Sequence, residues 1–308
     1  MLGHMPPTSS SGDALPDTVP HPVDYNSPRE LAGLLERLGF AMRKRYGQNF
    51  LVAGSARQRI LALLEAESGR RVWEIGPGAG AMSREALVAG LRLTTFEIDH
   101  GFASFMRESY GELPGFELFE GDFIKTWKQA VESSGTPERI FGNLPFNAAG
   151  AIIASIIEGG LRPPVMVFTV QKEAAQRMAS KPSTKNYASF TVLCQSAYSV
   201  KLAFDLPPGV FWPQPRVTST VVVMRVRPDA LPCAGEKAFT SFTRSAFASR
   251  RKTLRNNLKA AGWSDEEVTE SGHAVGISPD ARAETLTAER FAALFGDLST
   301  RRQNRIIQ

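Results

Sequence analysis

A doubly wound α/β sheet followed by a small all-helical domain is the fold this chain predicts, on three observations. Short apolar runs alternate with amphipathic stretches from Arg71 to Met178, the pattern of a mostly parallel sheet with helices on both faces. A glycine-rich turn, Gly76-Pro77-Gly78-Ala79-Gly80, separates the first of these strands from its helix, where open α/β sheets take ligands. After Pro228 the strand signals stop and only short helical segments follow.

Composition sets the bounds. The 308 residues are 43% hydrophobic and 22% charged, and 36 Lys and Arg against 31 Asp and Glu leave a formal charge of +5. That is a globular composition, long enough for one large domain and a smaller one. The mildly basic balance fits a polyanionic partner, and it fits a solvated basic face as well. Cys194 and Cys233 are far apart, with no His or Cys at metal-ligand spacing, so reduced thiols and no metal are expected. No run approaches the roughly 20 apolar residues of a membrane span. No basic-then-apolar signal segment opens the chain. A cytoplasmic protein with no membrane partner is therefore expected.

Residues 1–27 are rich in Pro, Ser, Gly and Asp and read as a disordered leader, in which Gly3-His4-Met5 resembles a cloning remnant. Ser27-Pro28-Arg29-Glu30 reads as a helix start, with Ser27 as cap, Pro28 in the first turn and Glu30 closing a capping box. Leu31, Leu34, Leu35 and Leu38 form its apolar face and Gly39 ends it. The basic segment Lys44-Arg45-Tyr46-Gly47-Gln48-Asn49-Phe50-Leu51 leads into a helix over residues 54–67. Strands follow over 71–75, 91–98, 116–120, 139–142 and 164–170, each succeeded by a helix: 80–89, 99–110, a short one after Asp122, 148–158 and 172–178. A further helix over 187–197 precedes strands over 200–205 and 219–227, which lack a long helix between them and suggest an antiparallel edge. Short helices over 239–247, 253–259, 265–270 and 289–295 complete the chain. The domains expected are 28–228 and 229–308.

The chemistry clusters at strand ends. The turn Gly76 to Gly80 lets backbone approach a ligand, and the helix after it offers free N–H groups to a carboxylate or phosphate. Glu97, about twenty residues on at the end of the second strand, stands where an acid binds ribose hydroxyls, while Asp99 can cap the next helix. Asp122 ends the third strand and can accept from an adenine amine or simply cap the helix that follows. The fourth strand delivers Asn143-Leu144-Pro145-Phe146. This is an amide, a rigid turn and an aromatic ring, able to hold a planar amine-bearing ring or to form an ordinary Asn-x-Pro turn. Four such signals at successive carboxyl ends favour a nucleoside-type cofactor beside an amine-bearing base.

Glu74 to Gly80, Glu97 to Asp99, Gly121-Asp122 and Asn143 to Phe146 together resemble the S-adenosylmethionine-dependent RNA adenine-N6 methyltransferases. Gly47 to Leu51, Gln171 to Ala174 and the run Phe211 to Ser219 resemble the family's remaining motifs. Arg250-Arg251-Lys252-Thr253-Leu254-Arg255-Asn256-Asn257-Leu258 resembles the branch that dimethylates small-subunit rRNA, the kasugamycin-sensitivity methylase type. Phe146 departs from the tyrosine usual in that branch. Ala79 stands where a larger apolar residue is common.

The resemblance implies a Rossmann-like class I methyltransferase sheet and S-adenosyl-L-methionine as cofactor. It implies transfer of methyl groups to N6 of two adjacent adenines near the 3′ end of small-subunit (16S-type) rRNA, during ribosome biogenesis. Asn143, Leu144, Pro145 and Phe146 would be the catalytic residues. Gln48, Asn49, Leu51, Glu74, Gly76, Gly78, Glu97, Ile98, Asp122, Phe123 and Asn143 would bind cofactor. Phe211 would cover the target base. A basic helix with Arg250, Arg251, Lys252 and Arg255 would join Lys44-Arg45 in holding RNA phosphates. The partner expected is the immature small ribosomal subunit, met by a monomer. Three alternatives stand beside this: a large-subunit rRNA methyltransferase of the antibiotic-resistance type, an assembly factor whose catalysis is dispensable, and, as an outsider, a nicotinamide dehydrogenase.

Overall fold

The computed structural model describes residues 19–39 and 49–307. Gln48, Lys44, Arg45 and most of the expected leader lie outside the described residues. The chain runs α1 (Pro28–Arg37), β1 (Phe50–Leu51), α2 (Gly54–Ala62), β2 (Arg71–Ile75), α3 (Ala81–Val88), β3 (Arg92–Glu97), α4 (His100–Tyr110), β4 (Phe116–Glu120), α5 (Phe123–Ser134), β5 (Arg139–Asn143) and α6 (Ala149–Glu158). It continues through β6 (Val165–Gln171), α7 (Lys172–Met178), α8 (Ser189–Ala197), β7 (Tyr198–Leu206), β8 (Phe211–Trp212) and β9 (Ser219–Val226). The helices α9 (Lys237–Ala246), α10 (Leu254–Ala260), α11 (Asp265–Ala274) and α12 (Ala288–Ile307) follow.

Alternation along each central strand decides the layering. Side chains of successive strand residues point to opposite faces, so Trp73 and Ile140 enter one apolar layer while their neighbours Val72 and Phe141 enter the other. The first layer is completed by α5 and α6 through Trp127, Ile153 and Ile156, the second by α2 and α3 through Ala56, Ile60 and Leu87. The strand order is β4-β3-β2-β5-β6-β9-β7. Pairing is parallel from β4 to β6, and β9 is antiparallel to both β6 and β7. The chain crosses over between β3 and β5 on either side of β2, and that reversal opens a crevice at the carboxyl ends of β2 and β5.

Local chemistry sets the helix starts. Ser27 caps α1 by accepting from the Glu30 N–H at 3.3 Å, but the Glu30 carboxylate accepts from Asp24 N at 2.8 Å and not from Ser27, so the expected capping box is only half formed. Asp99 accepts from the N–H groups of Gly101 and Phe102 and caps α4.

Two features depart from expectation. Residues 250–252 are not helical: Thr253 caps α10, and the three cations lie in the turn ahead of it. The core of the C-terminal helices also takes in Tyr187 and Val192, from before the expected boundary at 228. The Tyr187 hydroxyl donates to the Leu286 carbonyl at 2.8 Å. Among the described residues no helix is long and apolar enough to cross a membrane.

Candidate active site

β2 ends at Ile75, and the chain must then reverse into α3 within five residues. Gly76, Gly78 and Gly80 all take left-handed φ values, +71°, +54° and +85°, which side chains disfavour. A Cβ on Gly80 would lie 2.6 Å from the Met106 sulfur, so the turn is pressed against α4 as well as sharply bent. Gly80 caps α3 with no side-chain hydrogen bond, leaving the first N–H groups of that helix for a ligand.

Two buried carboxylates flank the turn. Glu97 accepts from Gly78 N and from Asp99 N, both at 2.9 Å, tying the glycine turn to the end of β3. Burial pushes its carboxyl up to about 7 despite those donors. Glu74, 1% exposed, accepts from the Ser83 hydroxyl. Burial raises it to about 8, against the pull of that hydrogen bond.

β5 brings the second half of the site. A Cβ on Gly142 would lie 2.5 Å from the Ile75 carbonyl oxygen, so glycine is what lets β5 run this close to β2. The next residue, Asn143, donates from Nδ2 to the Asn49 carbonyl at 2.8 Å. A carbonyl can only accept, so this bond fixes which way the amide faces and leaves Oδ1 to accept from a ligand amine. Leu144 N donates to the Thr169 carbonyl at 3.1 Å, and Ala148 N and Ala149 N both donate to the Pro145 carbonyl at 3.0 Å. The turn is thus closed on both sides. Phe146 is half-buried, with no ring partner among the described residues.

These elements enclose a cavity of about 360 Å³. The structure brings Asn49, Leu51, Glu74, Gly76, Gly78, Glu97, Ile98 and Asn143 to Phe146 together around it. It does not bring Asp122, Phe123 or Phe211 there. Asp122 accepts from Ile124 N at 3.0 Å and caps α5, the role its sequence also allowed. The Phe123 ring is buried against Trp73 and Phe96. Phe211 is corrected from base cover to core: it is 2% exposed, in the antiparallel β1–β8 ribbon opposite Leu51. That ribbon, absent from the sequence expectation, is what carries Asn49 and Phe50 across to Asn143. Arg255, expected among the RNA-contacting residues, lies on the surface away from the cavity. It is paired with Asp280 at 2.9 Å and lies 3.9 Å from Asp265.

Sequence reasoning missed Tyr25 and Leu31, which line the cavity from the segment before and within α1. The apolar face of α1 was legible, but nothing local says what it covers.

The model of the ribosomal RNA adenine dimethylase family matches residues 39–299. A Treponema denticola protein named ribosomal RNA small subunit methyltransferase A is 42% identical over 281 residues, covering 89% of this chain and 95% of that protein. Its namesake in Borreliella burgdorferi is 35% identical over 277 residues, covering 90% and 96%. Among solved structures, a dimethyladenosine transferase from Plasmodium falciparum has a TM-score of 0.68 at 20% identity, covering 80% of this chain and 96% of that one. A 23S rRNA methyltransferase has a TM-score of 0.58 at 23% identity, covering 82% and 100%. At such identities both likenesses show the fold alone.

Proposed function

This chain belongs to the ribosomal RNA adenine dimethylase family, and we propose on that premise that it dimethylates N6 of two adjacent adenines near the 3′ end of small-subunit rRNA, with S-adenosylmethionine as methyl donor. The observation that carries this reading is the Asn143 amide, oriented by the Asn49 carbonyl on the wall of the cavity that the glycine turn and Glu97 also line. The small-subunit names of the relatives support small-subunit rRNA over the large-subunit alternative.

The residues present fit the cofactor. The uncapped start of α3 can take a carboxylate, Glu97 can accept from ribose hydroxyls, and Ile98, 52% exposed, can cover an adenine face. S-adenosylmethionine, when bound there, supplies an electrophilic methyl group. The protein's own residues prepare the nucleophile. An exocyclic adenine nitrogen is a poor nucleophile because its lone pair is delocalised into the ring. Asn143 Oδ1 and the Leu144 carbonyl accept the two amine hydrogens, which localises the lone pair and points it into the cavity. Phe146 stacks on the base, and a base taken out of RNA structure regains through such stacking part of the few kcal/mol lost on leaving its stack. Positioning and electrostatics supply the acceleration.

The test is methyl transfer from labelled S-adenosylmethionine to immature small ribosomal subunits, wild type beside Asn143→Ala. Label in N6,N6-dimethyladenosine is expected with wild type. Asn143→Ala should lose roughly 10²–10³-fold in turnover, the scale of removing one hydrogen-bonding group aimed at the reacting atoms. Transfer to large-subunit RNA with none to small subunits would overturn the substrate assignment.

A further inference from the structure

Six residues with polar side chains line the cavity: Tyr25, Asn49, Glu74, Glu97, Asn143 and Asn147. Five of them are engaged. The Tyr25 hydroxyl pairs with that of Tyr110, Glu74 accepts from Ser83, and Glu97 accepts from two backbone N–H groups. Asn143 and Asn49 are joined to each other. Asn147 alone has no hydrogen-bond partner among the described residues, and it is exposed.

The backbone that carries this free amide is held. Asn147 follows Phe146 directly, inside the turn that the Pro145 carbonyl closes by accepting from Ala148 N and Ala149 N at 3.0 Å. Its side chain is therefore presented to the cavity from the same fixed turn that presents Asn143 and Phe146. The groups set to meet the N6 amine, Asn143 Oδ1 and the Leu144 carbonyl, can only accept. Adenine has a ring nitrogen on each side of N6, at N1 and N7, and both are acceptors as well. A donor is needed there, and the Asn147 amide supplies one through Nδ2.

That donor matters most in the second transfer. In each round the N6 lone pair forms the new nitrogen–carbon bond, the carbon–sulfur bonding pair stays with the donor sulfur, and one N6 proton goes to water. The base thus enters the first round with two N–H groups and the second with one. Two hydrogens on two acceptors fix the direction of the C6–N6 bond. A single hydrogen leaves the ring free to pivot about that contact, and small misplacements of reacting atoms are costly in rate. A hydrogen bond to a ring nitrogen is unaffected by methylation at N6 and restores the second fixed point.

We infer that Asn147 is a specificity-determining residue of the adenine site: its Nδ2 donates to a ring nitrogen beside N6 and holds the monomethylated base for the second transfer. This rests on the dimethylation reading above and deepens it, since it gives one side chain the step from mono- to dimethyladenine.

Product analysis with wild type, Asn147→Ala and Asn147→Asp tests the inference. Each protein is incubated with labelled S-adenosylmethionine and immature small ribosomal subunits, and N6-methyladenosine and N6,N6-dimethyladenosine are quantified against time. Wild type should give dimethyladenosine with little monomethyl product. Asn147→Ala should lower the ratio of the second rate constant to the first by roughly two- to tenfold, the scale of one neutral hydrogen bond, so that monomethyladenosine accumulates. Asn147→Asp keeps the shape but replaces the donor by an acceptor, so its ratio should fall at least as far. Both variants should melt with wild type, because the side chain is exposed and unpartnered and a carboxylate just before α6 is favoured by the helix dipole. An unchanged ratio in both variants, or a ratio restored in Asn147→Asp, would overturn the inference and leave the dimethylation reading standing. Equal losses in the two rate constants would also overturn it, making Asn147 a contact that does not distinguish the rounds. Wild type that forms no dimethyladenosine in small subunits would remove that reading, and the inference with it.

Discussion

Glu74 and Glu97 stand in the cavity wall with no cation among the causes acting on either. Both are raised from the ordinary 4.5, to about 8 and about 7. The folded protein therefore binds more protons than the unfolded chain between those values, and its stability falls as pH rises through that window. The contribution is complete below the unfolded value of 4.5 and is lost as pH passes about 7 and then about 8. Thermal melts of cofactor-free protein from about pH 6 to about pH 9 should show the decline, and Glu74→Gln should flatten its upper part. An identical pH dependence in the variant would mean that Glu74 ionises normally. The crowding at Gly142 gives a second consequence. Its added Cβ would meet the Ile75 carbonyl, and backbone on both sides leaves little room to yield. Gly142→Ala should cost about 1–3 kcal/mol in urea unfolding, with weakened cofactor binding because Ile75 leads directly into the glycine turn.

At the scale of elements, α1 lies before the 39–299 family match yet covers the site. Leu31, 2% exposed, packs in one cluster with Ala79 of the glycine turn and Phe102 and Phe105 of α4. The Tyr25 hydroxyl is 2.8 Å from that of Tyr110. Leu31→Ala should cost about 2–5 kcal/mol of stability and weaken cofactor binding roughly tenfold, equivalent to about 1.4 kcal/mol. Ile60→Ala, fully buried in the layer behind β2 and away from the cavity, should match the stability loss and leave affinity unchanged in calorimetric titration. If the two variants bind cofactor alike, α1 is only a structural strap. The parallel core from β2 to β6 was legible because period and punctuation are local: an apolar run, a turn, and a polar residue at its end. The β1–β8 ribbon was not, since two-residue strands have no period, and Phe211 therefore read as an exposed aromatic. Helix α12 was expected to stop near Phe295, before a glycine and a Ser-Thr pair. It continues to Ile307 because Leu298 is fully buried and Arg301 pairs with Asp297 at 2.5 Å.

At the scale of the molecule, the sheet and the C-terminal helices share material. A composition break at Pro228 suggests two units, but α8 sits between them. Val192 and Tyr187 enter the helical core, while Leu193 and Cys194 enter the sheet core. Leu231 N donates to Ser196 O at 2.9 Å. Arg227 bridges to Glu289 at 2.7 Å, and Arg244 to Glu158 at 3.1 Å. The exposed ion pairs contribute little individually, so the coupling rests on the buried side chains of α8 and of the loop before it. The two halves should therefore unfold together. Trp263 reports on the helical core, and Trp73 and Trp127 on the sheet, so single-tryptophan variants can follow each half in urea. Coincident midpoints are expected. Tyr187→Ala should remove about 3–5 kcal/mol and pull the Trp263 transition to lower urea, ahead of the other two. Separate midpoints in the unaltered background would instead make each half an independent folding unit.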